Sequence, residues 1–179
     1  ELDKKFDIIE SVGVLHHMND PMAGWRVLTD CLKPGGLMKI GLYSELARQH
    51  IVKMREEICQ SGIGSSNFAI KSFRNEVIKS KALHHKLILS SPDFYSLSTL
   101  RDLLFHVQEH RFTIPQIQES LDELGLKFCG FDSSRIVYNF KLVYTKPDDP
   151  YDLDKWNAYE EANPRCFAGM YQFWCQKVV

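Results

Sequence analysis

Two short apolar runs, FDIIES at Phe6 to Ser11 and LMKIGLY at Leu37 to Tyr43, flank a segment with the marks of a single helix. This arrangement constrains the fold more than any other feature of the chain. The first run has paired isoleucines, charge before it and Gly13 after it, and suits a strand buried on both faces. Asp20 can cap the helix with Pro21 in its first turn, and Trp25, Leu28 and Leu32 recur along one face. Lys33-Pro34-Gly35-Gly36 then closes it. A strand, a helix and a strand in this order form a crossover that favours parallel pairing.

The remainder extends this α/β alternation after an interruption. Residues 44–113 read as a helical insertion, with helical patterning at Leu46 to Cys59 and Phe68 to Ile78 on either side of the flexible run Ser61 to Asn67. Alternation resumes where Pro115 opens a helix through Leu124, Gly125 ends it, and Leu126 to Phe131 forms a third strand. Ile136 to Tyr144 is open between a strand and an extended arm. Leu153 to Ala162 reads as a helix stopped by Pro164, and Met170 to Lys177 has the aromatic richness of a final strand. The expected fold is a three-layer α/β domain, its strands parallel except for an antiparallel last one, with a helical insertion covering the site.

Composition narrows the function classes. A length of 179 residues favours one domain with one substantial core. With 22 basic against 23 acidic residues, no global field draws the chain to nucleic acid or anionic lipid. No apolar run approaches the roughly 20 residues that span a bilayer, so a cytoplasmic location is expected. Cys31, Cys59, Cys129, Cys166 and Cys175 are scattered and odd in number, and read as reduced, mostly buried thiols.

The segment FDIIESVGVLHHMNDP followed by LKPGGLMKIGLYS resembles the fourth strand, following helix and fifth strand of class I S-adenosylmethionine-dependent methyltransferases. Further along, SLSTLRDLLFHVQEHRFTIPQI and FAGMYQFW resemble a bacterial subset of these enzymes often fused to tetratricopeptide repeats. The resemblance implies a partial Rossmann-like sheet and methyl transfer, with the acceptor unspecified. It also implies a missing N-terminal cofactor-binding half: the glycine-rich strand-turn-helix and the acidic residue for the ribose are not found, and Gly62 and Gly64 lie in a Ser-rich loop between helices. On this reading the chain is the C-terminal half of such an enzyme. S-adenosylmethionine would belong to the full-length parent, and the isolated chain would bind none and be inactive. The alternative is a non-catalytic remnant that works as a protein-interaction module.

By position in the resemblance, Glu10, Ser11, Val12 and His16 are the cofactor-side candidates, at the carboxyl end of a parallel strand where open α/β sheets bind ligands. His16 is also the candidate base, because an acceptor hydroxyl or protonated amine must lose a proton and histidine titrates near neutrality. Asp102, His106 and Glu109 are able to share one helical face and are the substrate-side candidates. No metal site is expected: His16-His17 and His84-His85 are adjacent pairs whose side chains point in different directions. The aromatic group from Trp156 to Trp174 reads more readily as core than as a stacking site. A first strand lacking its neighbour on one side leaves Ile8 and Ile9 on an open border, so a homodimer through that strand is expected.

Overall fold

The computed structural model describes residues 4–105 and 109–178. The chain opens with β1 (Phe6–Val12), α1 (Pro21–Cys31) and β2 (Leu32–Leu42), continues through α2 (Gln49–Gln60), α3 (Asn67–Lys79), α4 (Leu83–Ile88) and α5 (Leu97–Phe105), and closes with α6 (Ile114–Glu123), β3 (Leu126–Phe131), α7 (Ser134–Lys141), α8 (Leu153–Ala162) and β4 (Tyr171–Lys177). These elements form two compact units, one from residues 1–47 and 108–179 and the other from residues 48–107.

The first unit is built on an open four-stranded sheet in the order β1-β2-β4-β3. β1 and β2 are parallel, and β4 runs antiparallel to both β2 and β3. This is the expected mixed sheet with its last strand reversed. Asp20 caps α1 as its position suggests, its carboxylate accepting from the Ala23 N–H at 2.9 Å. The Lys33-Pro34-Gly35-Gly36 run does not close the helix, however. It lies inside β2, where a register shift between Phe6↔Leu32 and Ile8↔Leu37 absorbs the extra residues as an irregularity in the pairing. Thr113 and Gln116 form a reciprocal capping box that starts α6 one residue before Pro115. The segment left open between strand and arm is helical, as α7. Its turns bury Phe140 and half-bury Ile136 and Val137, a three- to four-residue spacing that serves a helix.

The register separates the two faces of this sheet. Met38, Ile40 and Leu42 of β2 stand beside Cys175, Phe173 and Tyr171 of β4, and all six are buried. One contiguous core joins them to Trp25 of α1, Ile117 and Leu121 of α6, Phe140 of α7 and Trp156 of α8. The opposite face carries Ile8, Glu10 and Val12 of β1 with Lys39 of β2 and Trp174 of β4. Here Ile8 is 58% exposed, so β1 is not buried on both faces. The reason is positional: β1 ends the sheet, and its Ile9, on the packed face, is the isoleucine that meets the core.

The second unit is helical. Ile51, Met54 and Ile58 of α2 and Ile70, Phe73 and Val77 of α3 repeat at intervals of three and four residues and are buried with Ile88, Phe94, Leu100 and Leu104. Ser66 caps α3 by accepting from the Ala69 N–H at 3.2 Å. Among the described residues, no helix is long and apolar enough to cross a membrane.

Candidate functional site

Parallel strands end on the same side of a sheet, and the loops that leave them there form the natural ligand crevice of an open α/β fold. β1 and β2 end side by side in this way, with Val12 opposite Gly41. Gly41 is required at that point, because a Cβ would come within 2.7 Å of Val12 Cγ1 and 3.0 Å of Met170 Sδ. Beyond Val12 the chain turns at Gly13, whose φ of +77° favours glycine and whose surroundings are open, with no heavy atom within 4 Å of an added Cβ.

The turn Leu15–His17 follows as a short 3-10 helix. It places the His16 ring in the interior, 0% exposed, stacked on Tyr43 with centroids 3.8 Å apart and 21° between planes. His17 meets the same tyrosine edge-on at 5.9 Å. The returning chain locks this arrangement from the other side. The His110 N–H donates to the His16 carbonyl at 2.8 Å, the Phe112 N–H to the Tyr43 carbonyl at 2.8 Å, and the Glu45 N–H to the Phe112 carbonyl at 2.9 Å. Arg111 Nε adds a hydrogen bond to Glu45 at 2.9 Å and stands 3.8 Å from Glu109, whose side chain is almost fully buried. A cleft of about 370 Å³ opens beside this segment, lined by Pro21, Met22, His110, Arg111, Phe112, Gln116, Glu119, Ser120 and Glu123.

Beneath the ends of β2 and β4 lies a buried carboxylate. Glu160 of α8 is 1% exposed and accepts from Ser44 Oγ and from the Tyr171 hydroxyl, both at 2.6 Å. Burial pushes the Glu160 pKa above its ordinary range, against the pull of these two hydrogen bonds. Burial and the neighbouring Glu160 carboxylate likewise raise the Tyr171 phenol, which therefore stays a donor. The network ties the start of β4 and the residue after Tyr43 to one helix.

The sequence candidates divide between the two faces. Glu10 and Val12 stand on the open face, where Glu10 is opposite Lys39. Lys39 is hydrogen-bonded to Asp132 at 2.6 Å, an interaction that raises the pKa of the ammonium and lowers that of the carboxylate, and its Nζ lies 5.8 Å from the centre of the Trp174 ring. Ser11 points the other way and is buried beside Ile40, so only its backbone is available at the open face. Asp102 is exposed on α5, in the 48–107 unit. Glu109 is in the other unit and is not helical, so it shares no α5 face with Asp102. His106 lies outside the described residues.

Sequence reasoning missed Tyr43, Ser44 and Glu160. Tyr43 had a usable signal, since it ends the strand that runs parallel to β1. Glu160 had none, being one of two adjacent glutamates in a helix with a polar surface. The thiols also differ from expectation. All five are unpaired, but Cys59 is exposed and only Cys175 is fully buried, its pKa pushed up to about 12 by burial.

The strand order, the reversed last strand and the crevice at the ends of β1 and β2 define a partial Rossmann-like class I methyltransferase fold. The comparisons with known proteins agree. A family model described as a methyltransferase domain matches residues 2–40. PKMT2 from Rickettsia typhi is similar in structure at a TM-score of 0.67 and 14% identity, over 96% of this chain and 35% of that one. The same protein in complex with AdoHcy gives a TM-score of 0.64 and 16% identity, over 98% of this chain and 36% of that one. An uncharacterized protein of Synechococcus sp. is 30% identical over 173 residues, 89% of this chain and 40% of the relative. The chain thus spans about two-fifths of the length of these relatives or less.

Two expectations are overturned here. The likeness is not that of a C-terminal half: it extends over 96% and 98% of the chain, and the family model matches at the N-terminal end. Nor does the expectation stand that the chain binds no cofactor, since the fold seen over 98% of it is shared with a protein solved in complex with AdoHcy.

Proposed function

We propose that the chain serves S-adenosylmethionine-dependent methyl transfer, with the ends of β1 and β2 as its cofactor side. The observation that carries this reading is the likeness, over 98% of the chain, to PKMT2 in complex with AdoHcy, the molecule left when S-adenosylmethionine has given up its methyl group. The residues present fit such a group. Val12 is exposed, Gly13 leaves open space at the strand end, and Glu10 stands on the same face. These residues, with the backbone of Ser11, would hold the cofactor, which when bound supplies a methyl group on a sulfonium. The chain's own work is then to orient the acceptor and to exclude water. His16 takes the proton that an acceptor hydroxyl or ammonium must lose.

Calorimetric titration of the protein with AdoHcy tests this reading. Saturable one-to-one binding is expected, weakened at least roughly tenfold by Val12→Glu, which sets a second carboxylate against the site, a change of about 1.4 kcal/mol. A titration flat to millimolar AdoHcy overturns the reading and leaves a non-catalytic interaction module in its place.

We further propose a homodimer through β1. Among the described residues this strand pairs only with β2, and Phe6 and Ile8 are 40% and 58% exposed along it. An unpaired apolar edge recruits another strand, and a two-fold axis makes two copies of β1 antiparallel. Light scattering at micromolar concentration is expected to give a dimer mass that Ile8→Lys reduces to a monomer. A monomer mass for the unaltered protein sinks the proposal.

A further inference from the structure

In the helical unit, the Glu57 carboxylate of α2 stands between two imidazoles of α4. His84 Nε2 is 2.6 Å from one carboxylate oxygen and His85 Nε2 is 2.6 Å from the other. Neighbouring residues on a helix project about 100° apart, and on that ground the sequence reading set this pair aside. The structure differs because a third residue lies between them. Each ring tilts toward its own oxygen, and the two centroids come within 4.4 Å at an interplanar angle of 60°.

We propose that Glu57, His84 and His85 form a binding site for a divalent transition-metal ion, zinc by its donor set, with water as the fourth ligand. Two imidazole nitrogens and a carboxylate oxygen are the donors that suit zinc, whereas magnesium and calcium take oxygen alone. The three donor atoms already lie within 4.8 Å of one another. Tetrahedral zinc at its usual bond lengths needs them roughly 3.3 Å apart, so the 2.6 Å contact to the coordinating oxygen opens by less than about 1 Å and the wider separations, within 4.8 Å, close by about 1.5 Å at most. Side-chain rotation supplies that.

The surroundings suit an ion held from one side. The side chains of His85 and His84 are 13% and 20% exposed, and that of Glu57 is 39% exposed, so the cluster is walled by protein on the histidine side and reaches water at the carboxylate. Phe73 stands edge-on to His85 at 6.3 Å and limits how far that ring can turn away. His85 Nδ1 is buried without a hydrogen-bond partner, so the ring's polar anchoring rests on Nε2. An ion there joins α2 to α4 by coordinate bonds where the bare protein has two hydrogen bonds. Its expected role is a clip within this unit.

Metal-free protein titrated with cobalt(II) and then zinc tests the site directly. One cobalt per chain is expected, with the visible absorption of a tetrahedral ion, displaced by stoichiometric zinc. Glu57→Gln, His84→Gln and His85→Gln should each weaken zinc binding at least roughly tenfold. Glu57→Gln keeps the side chain's shape, and circular dichroism of each variant separates lost ligands from lost folding. Cys59→Ser, at the exposed thiol of the same helix, should change nothing. The absence of zinc binding up to millimolar concentration overturns the proposal, as does stoichiometric binding that survives all three ligand substitutions in folded protein.

Discussion

Replacing His16 with alanine is expected to slow methyl transfer at a saturating acceptor by about 10² to 10⁴, the loss typical of a missing general base. AdoHcy affinity should change far less, because the task assigned to this residue is at the acceptor. The ring is fully buried against Tyr43, so truncation also leaves a cavity. His16→Gln is the better-matched variant: it fills similar space and still makes hydrogen bonds, but it cannot take a proton near neutral pH. Both variants should lose turnover alike if proton transfer is the role. Retention of turnover by folded His16→Gln would remove His16 from the reaction and leave it as the packing partner of Tyr43.

The frame of the fold was legible because it depends on local signals. Asp20 and Pro21 mark a helix start with a hydrogen bond the structure contains, and the helical crossover favours the parallel pairing that β1 and β2 show. The aromatic run at the C-terminus marked β4. What was not legible depends on partners distant in sequence. Glycine and proline in Lys33 to Gly36 signal a turn, and Gly35 does take a positive φ of 72°, but the four residues lie within β2 as an irregularity passed over between the pairs Phe6↔Leu32 and Ile8↔Leu37. The helical spacing that joined Asp102 to Glu109 is a property of sequence alone, and the chain leaves the helix before Glu109. Glu160 is selected by Ser44 and Tyr171, 116 and 11 residues away, and nothing in its own neighbourhood announces them. The candidate site was therefore readable at the end of its first strand, whereas the buried Glu160 network was unreadable. The same contrast holds for Glu57 and the two histidines of α4, 27 and 28 residues apart, which meet only once two helices have packed.

Trp156→Ala is expected to destabilise the first unit by about 3 to 5 kcal/mol, the range for removing a large aromatic side chain from a packed core. The side chain is 0% exposed and is stacked on Phe140 with ring centroids 3.7 Å apart, while Phe131 of β3 meets it edge-on at 4.9 Å. It therefore couples α7 and α8 to the outer strand of the sheet. Its indole N–H donates to the Pro150 carbonyl at 2.9 Å, so alanine loses this hydrogen bond as well as the ring contacts and leaves that carbonyl without its donor. Glu160 lies one helical turn further along α8, close enough for a shift of the helix to disturb its bonds to Ser44 and Tyr171. Trp156→Phe separates the two contributions. It keeps most of the stacking and loses the hydrogen bond, so it should cost about 1 to 3 kcal/mol. Denaturant unfolding followed by circular dichroism measures both. A loss below about 1 kcal/mol for Trp156→Ala would mean that α8 is not held by this core, and with it the buried Glu160 carboxylate.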